Sequence, residues 1–179
     1  MTRSGRRAFT LVELLVIIAI IAILAALILP VYQRIQAGGQ AAACLANLRQ
    51  IGTGLNAYLN ENGMKMPTLQ AGRTDLSQDV PVIDNTLDKY LTEKRVFTCP
   101  ADTQGYGLKS GTSYIWNSAL NAQAVANLNF LNIGTDNSHI PILGDKEGFH
   151  PYLDNKVNIL YADGHVTKDL QFVTGNGKN

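Results

Sequence analysis

FTLVELLVIIAIIAILAALIL, residues 9–29, decides how this chain folds. Only Thr10 and Glu13 interrupt its apolar character, and Glu13 carries its one charge. As a helix rising about 1.5 Å per residue, the stretch covers roughly 30 Å, the thickness of a hydrocarbon core. A secretory hydrophobic region is shorter, about 7–15 residues. Ahead of it, residues 1–8 read MTRSGRRA, with Arg3, Arg6 and Arg7 and no acid. A basic flank predicts an N-terminus on the cytoplasmic side and an exported remainder.

Pro30 follows, yet helical character resumes. Ile35, Leu45, Leu48, Ile51, Leu55, Tyr58 and Leu59 recur in steps that place residues 45–59 on one face. Asn62-Gly63 supplies a stop. The pattern predicts one helix of about 50 residues, kinked near Pro30, apolar all round in its first half and amphipathic in its second. Gly38-Gly39, Gly52 and Gly54 are points of bending or close packing.

Beyond Met66-Pro67 the texture turns polar, and 67–89 reads as loop with a short helix near 84–91. Strands are expected at 95–98, 113–117, 140–143, 157–162 and 165–167. Asp163-Gly164 between the last two predicts a two-residue type I′ hairpin turn. Residues 174–179 read as a frayed tail. Tyr106, Tyr114, Trp116 and Tyr161 are expected in a small core under the long helix.

Charged residues make up only 16% of the 179, hydrophobic ones 46%, and 15 basic residues face 14 acidic. With a formal charge of +1 and no basic stripe, nucleic-acid binding is set aside. The two cysteines, Cys44 and Cys99, have no zinc-ligand spacing. In an exported domain a disulfide between them and a pair of buried free thiols both fit.

Glu13 is the informative residue. A carboxylate deep in lipid costs a few kcal/mol and usually faces a partner. One reading leaves it solvated at the headgroup boundary. The other has cleavage between Ala8 and Phe9 free an α-amine at Phe9, with which Glu13 pairs on its own chain or the next, setting the register of stacked helices.

Arg6-Arg7-Ala8-Phe9-Thr10-Leu11-Val12-Glu13-Leu14-Leu15 resembles the processing and methylation signature of type IV prepilins and type II secretion pseudopilins. Pro30 stands where that family commonly bends its helix. Ala8 departs from the family's usual Gly before the cut; alanine is small, and cleavage is expected. More loosely, residues 44–52, 97–102 and 158–166 resemble a pilin-like group abundant in planctomycetes. Members of that group often end in a His, nine residues and Asp-Gly; here His150 precedes Asp163 by a longer gap.

The resemblance implies a maturation route. A membrane prepilin peptidase removes residues 1–8 and N-methylates Phe9, and a platform protein with its ATPase draws the helix from the membrane into a filament core. It implies self-association and association with other pilin-like subunits, no enzymatic activity and no cofactor. It also raises a structural calcium ion, since the family's major pseudopilin carries a C-terminal calcium loop. Asp145, Glu147 and Asp154 are the candidate ligands, solvated loop carboxylates being the alternative. His139, His150 and His165 read as surface or strand residues, and Ser113 and Ser118 lack a nucleophile's context.

The expected fold is α+β, a long kinked N-terminal helix packed on a small antiparallel sheet with a loop-rich C-terminal region. Residues 1–8 form a leader, 9–30 the membrane and filament-core half of the helix, 31–62 its amphipathic half, and 63–179 a periplasmic globular domain. The expected protein is a single-pass inner-membrane subunit of a type IV pilus-like or type II secretion filament. The alternatives are a minor or tip subunit that binds a ligand, or a soluble protein exported by a twin-arginine signal. That signal is disfavoured by the length of the apolar span and by Glu13.

Overall fold

The computed structural model describes residues 10–131, 136–150 and 157–168. Helix α1 runs Leu11–Glu61, continuous through Pro30. The chain forms two compact units, divided between Gln36 and Ala37. In the first, every described residue is exposed.

In the second unit, Ala41, Cys44, Leu48, Ile51, Leu55 and Leu59 are buried along α1. These steps of three and four give one continuous stripe. The stripe is offset from the expected one: Cys44 rather than Leu45 points fully inward, and Ile35 is exposed. Small residues at 41, 52 and 54 extend it. A Cβ on Gly54 would stand 2.9 Å from Leu91 Cγ, so only glycine admits that contact. The helix ends in a Schellman arrangement: Met64 N donates to Leu59 O at 2.8 Å, with Gly63 at φ +65°.

Against the stripe lies a four-stranded antiparallel sheet in the order β1 (Tyr114–Trp116), β2 (Pro141–Asp145), β3 (Ile159–Tyr161), β4 (Val166–Thr167). Tyr114, Trp116, Leu143 and Leu160 join the α1 stripe in one core. Tyr161 is also buried, and Tyr106 is partly so. The long N-terminal helix and small sheet make an α+β, pilin-like fold.

Three expected elements also need correction. Residues 95–98 do not form a strand; Lys94–Phe97 is a 3₁₀ turn. Val96 and Phe97 are adjacent and both buried, a demand that a two-sided strand with one wet face cannot meet. The helix expected near 84–91 is two short pieces, α2 (Ile83–Thr86) and a 3₁₀ turn at Asp88–Tyr90. The last hairpin has a three-residue loop, Ala162-Asp163-Gly164, closed by Tyr161 N donating to His165 O at 3.0 Å. Only Gly164 has positive φ, +90°, the pattern of a type I turn followed by a left-handed residue rather than type I′.

Cys44 and Cys99 are joined by a disulfide across 55 residues of sequence. Closing a loop of that length removes about 4 kcal/mol of unfolded-state entropy on the chain-entropy account. The bridge ties α1 to the loop ahead of β1.

Candidate functional site

The exposed half of α1 carries most of the exposed large apolar side chains among the described residues. An 18-residue window of this helix has mean hydropathy 3.3 with none of it buried, so the helix is long and apolar enough to cross a membrane. Leu14, Ile17, Ile18, Ile21 and Leu24 are all exposed. Each such side chain left in water forgoes about 1.5–3 kcal/mol, a cost that lipid or a protein partner would remove.

At its start sits a reciprocal cap. Thr10 N donates to Glu13 Oε2 at 2.9 Å, Thr10 Oγ1 donates to the same oxygen at 2.7 Å, and Glu13 N donates to Thr10 Oγ1 at 3.2 Å. This is the S/T-x-x-E capping box, which satisfies two otherwise orphaned helix-start donors. Reading Thr10 as part of the apolar span hid it, although Thr-x-x-Glu ahead of an apolar run is its sequence signature. Only Oε2 is used; among the described residues Oε1 makes no hydrogen bond. Ala8 and Phe9 lie outside the described residues.

The remaining candidates fall in the second unit, where they take separate roles. Asp145 is buried in β2, where Oδ2 accepts from Asn158 N at 2.7 Å and Asn158 Nδ2 at 3.0 Å. Glu147 is exposed and accepts from the Tyr106 hydroxyl. The two carboxylates thus face different protein partners, and Asp154 lies outside the described residues. His139 contacts Asp136 Oδ2 at 3.2 Å, and His165 stacks on Tyr161 with ring centroids 4.5 Å apart. His150 departs from the expected surface position: it is buried, with Nε2 3.3 Å from Asp145 Oδ2 and 3.9 Å from Cys99 Sγ. No sequence periodicity could have placed it there, because its neighbours come from α1, the Cys99 loop and the sheet.

Asp102 and Ser113 were also missed as structural residues. Asp102 accepts from Gly105 N and Gly107 N, each at 2.8 Å, and from Ser113 Oγ at 2.7 Å. Ser113 Oγ in turn accepts from Cys99 N at 3.1 Å, so the chain of bonds holds the disulfide loop. Burial pushes the Asp102 carboxyl up, but the N–H groups of Gly107, Tyr106 and Gly105 and the Ser113 hydroxyl outweigh it and hold it below the ordinary range. A lowered carboxyl contributes stability that is present above its unfolded value and lost as pH falls through the folded one. Acid titration of unfolding midpoints should therefore show a loss in the lower carboxylate range that Asp102→Asn removes. An unchanged acid profile in that variant would refute the assignment.

A single N-terminal apolar helix, capped by its own acid and followed by a small α+β unit, fits a membrane-anchored pilin. Residues 3–29 match the family described as the prokaryotic N-terminal methylation motif. Over 77 residues the chain is 36% identical to fimbrial protein Q of Moraxella bovis, covering 43% of this chain and 48% of that protein. The chain thus spans about half the length of the curated relative it matches. No solved structure matches. The matched motif and the fimbrial similarity support assignment to the type IV pilin family.

Proposed function

We propose that this protein is a structural subunit of a type IV pilus-like or type II secretion filament, cleaved before Phe9 and assembled through α1. The observation that carries the reading is an apolar helical face, exposed throughout, with one carboxylate at its head. Lipid covers that face first, and neighbouring copies cover it in the filament core. The capping box engages Oε2 of Glu13 and leaves Oε1 for the positive amine that cleavage creates on Phe9. Pairing would offset the cost of burying both charges and fix the axial register.

The basic flank Arg3, Arg6 and Arg7 supports a cytoplasmic N-terminus and an exported C-terminal unit, where the Cys44–Cys99 bridge is chemically at home. Pro30 lies within α1, where the loss of its N–H donor favours a bend. A prepilin peptidase, an inner-membrane platform and its ATPase are the implied partners. Similarity to a fimbrial protein favours the pilus-like branch. A structural rather than catalytic role follows.

Intact mass and N-terminal sequencing of the protein from its native membrane test the reading. The expected chain begins at N-methylated Phe9. A chain that retains residues 1–8, or one beginning at 37–43 as a soluble product, would overturn it.

A further inference from the structure

The buried cluster beside the disulfide is rich in electron-pair acceptors. Side chains of His150 and Asp145 are 1% and 0% exposed. Asn158 Nδ2 approaches His150 Nε2 at 2.7 Å, and as the donor it makes Nε2 the unprotonated ring nitrogen. That lone pair is engaged by Asn158, and Asp145 Oδ2, a second acceptor, stands 3.3 Å from the same nitrogen, so a metal ion on Nε2 takes the place of the Asn158 hydrogen bond. Asp145 Oδ1 and Asn158 Oδ1 are also buried and have no hydrogen-bond partner among the described residues. Groups of this kind are costly without a cation or proton between them.

The bonded sulfurs of Cys44 and Cys99 and a ring nitrogen of His150 lie within 4.8 Å of one another. As a disulfide the sulfurs are poor ligands; as thiolates they add two negative charges to a pocket that already contains a carboxylate. We propose that in the thiol state Cys44, Cys99 and His150, with Asp145 beside them, bind one zinc ion, and that disulfide formation replaces this site.

Two thiolates and an imidazole, all buried and with a carboxylate beside the imidazole, form a donor set that suits zinc. Bond lengths of about 2.3 Å to sulfur and about 2.0–2.1 Å to nitrogen set a tetrahedral S···N edge near 3.5 Å. The Cys99 Sγ to His150 Nε2 distance is 3.9 Å. A newly made chain carries both cysteines as thiols. Binding zinc converts them to thiolates and releases two protons. An incoming disulfide oxidant then takes two electrons from the bound thiolates and two protons from solvent and becomes a dithiol. The Cys44–Cys99 bond forms and the zinc ion leaves. In either state α1 is fastened to the Cys99 loop, so the helix is held in place before oxidation as well as after it. This inference stands whether or not the chain assembles into filaments.

The test uses the full chain in detergent, metal-free, with its cysteines kept as thiols by a phosphine reductant. Titration with Co²⁺ should produce thiolate-to-metal charge transfer and intense tetrahedral visible bands, saturating at one ion per chain and bleached by Zn²⁺. The oxidised chain should bind none. His150→Gln in the thiol state should weaken Zn²⁺ binding by ~100-fold or more, since even supporting residues around a ligand are worth about 10–100-fold. His165→Gln should leave it unchanged. Near-ultraviolet circular dichroism of the oxidised His150→Gln protein checks that the fold survives. Absence of binding by the reduced parent overturns the proposal, as does binding that His150→Gln does not weaken, which marks thiols acting alone. Should the reduced parent unfold without metal, Zn²⁺ must restore its near-ultraviolet signal; failure to do so also overturns it.

Discussion

Glu13→Gln should enter the membrane normally, keep its helix start, and fail to build filaments. The substitution separates the capping role, which the structure shows, from the pairing role proposed for the same side chain. Glutamine still accepts from Thr10 N through its amide oxygen, so the capping box survives. What it loses is charge. Removing one partner from a buried pair costs about 3–5 kcal/mol. At about 1.4 kcal/mol per factor of ten, each subunit addition would weaken by roughly a hundredfold to several thousandfold. Glu13→Ala should do the same and lose a further ~1 kcal/mol from the cap. Electron microscopy of sheared filaments, with immunoblots of the membrane fraction, reads both. Normal filaments from Glu13→Gln would mean that capping alone accounts for this acid, and the pairing reading would fall.

Gly111→Ala should cost the globular unit about 3–5 kcal/mol, a large share of the roughly 5–15 kcal/mol that holds a domain together. Gly111 closes α3 (Tyr106–Ser110) with φ +84°, and its N–H donates to Gly107 O at 3.0 Å. A Cβ there would overlap both Asp84 Oδ2 and Arg73 Nη2. Those two atoms form an ion pair whose side chains are 12% and 8% exposed, and Arg73 Nε also donates to Ser110 O at 3.0 Å. The methyl group would force the pair apart inside the protein. Gly164→Ala isolates the backbone contribution. Its φ is +90° but none of the described residues lies within 4 Å of the added carbon, so only ~1 kcal/mol should be lost. Denaturant unfolding followed by Trp116 fluorescence distinguishes them; equal losses at the two sites would refute the role given to the ion pair.

Much of this architecture was legible because its signals are local. A charge-poor run at 9–29 and steps of three and four from 45 to 59 need no knowledge of distant residues. The strand positions around Tyr114, Ile142 and Leu160 were legible for the same reason, since β-prone residues are bounded by turn formers. At Lys94–Phe97 tertiary demand overrode propensity, because two consecutive apolar side chains both had to be buried. The 162–164 loop gained a residue because Ala162 leaves the ladder, so a correct Asp-Gly signal led to the wrong turn type. His150 was illegible for another reason. Its environment is assembled from four separated stretches, contributing Cys44, Cys99, Asp145 and Asn158.

The Cys44–Cys99 bond also decides where mechanical load enters the globular unit. If the chain assembles as proposed, tension on the fibre travels along the N-terminal rod. Stripping the rod from the sheet residue by residue would proceed at low force, each core contact yielding in turn. A covalent crosslink one turn into the buried stripe halts that unzipping at its first step. Everything beyond must then yield together or not at all, which is the behaviour a tow line requires of its attachment points.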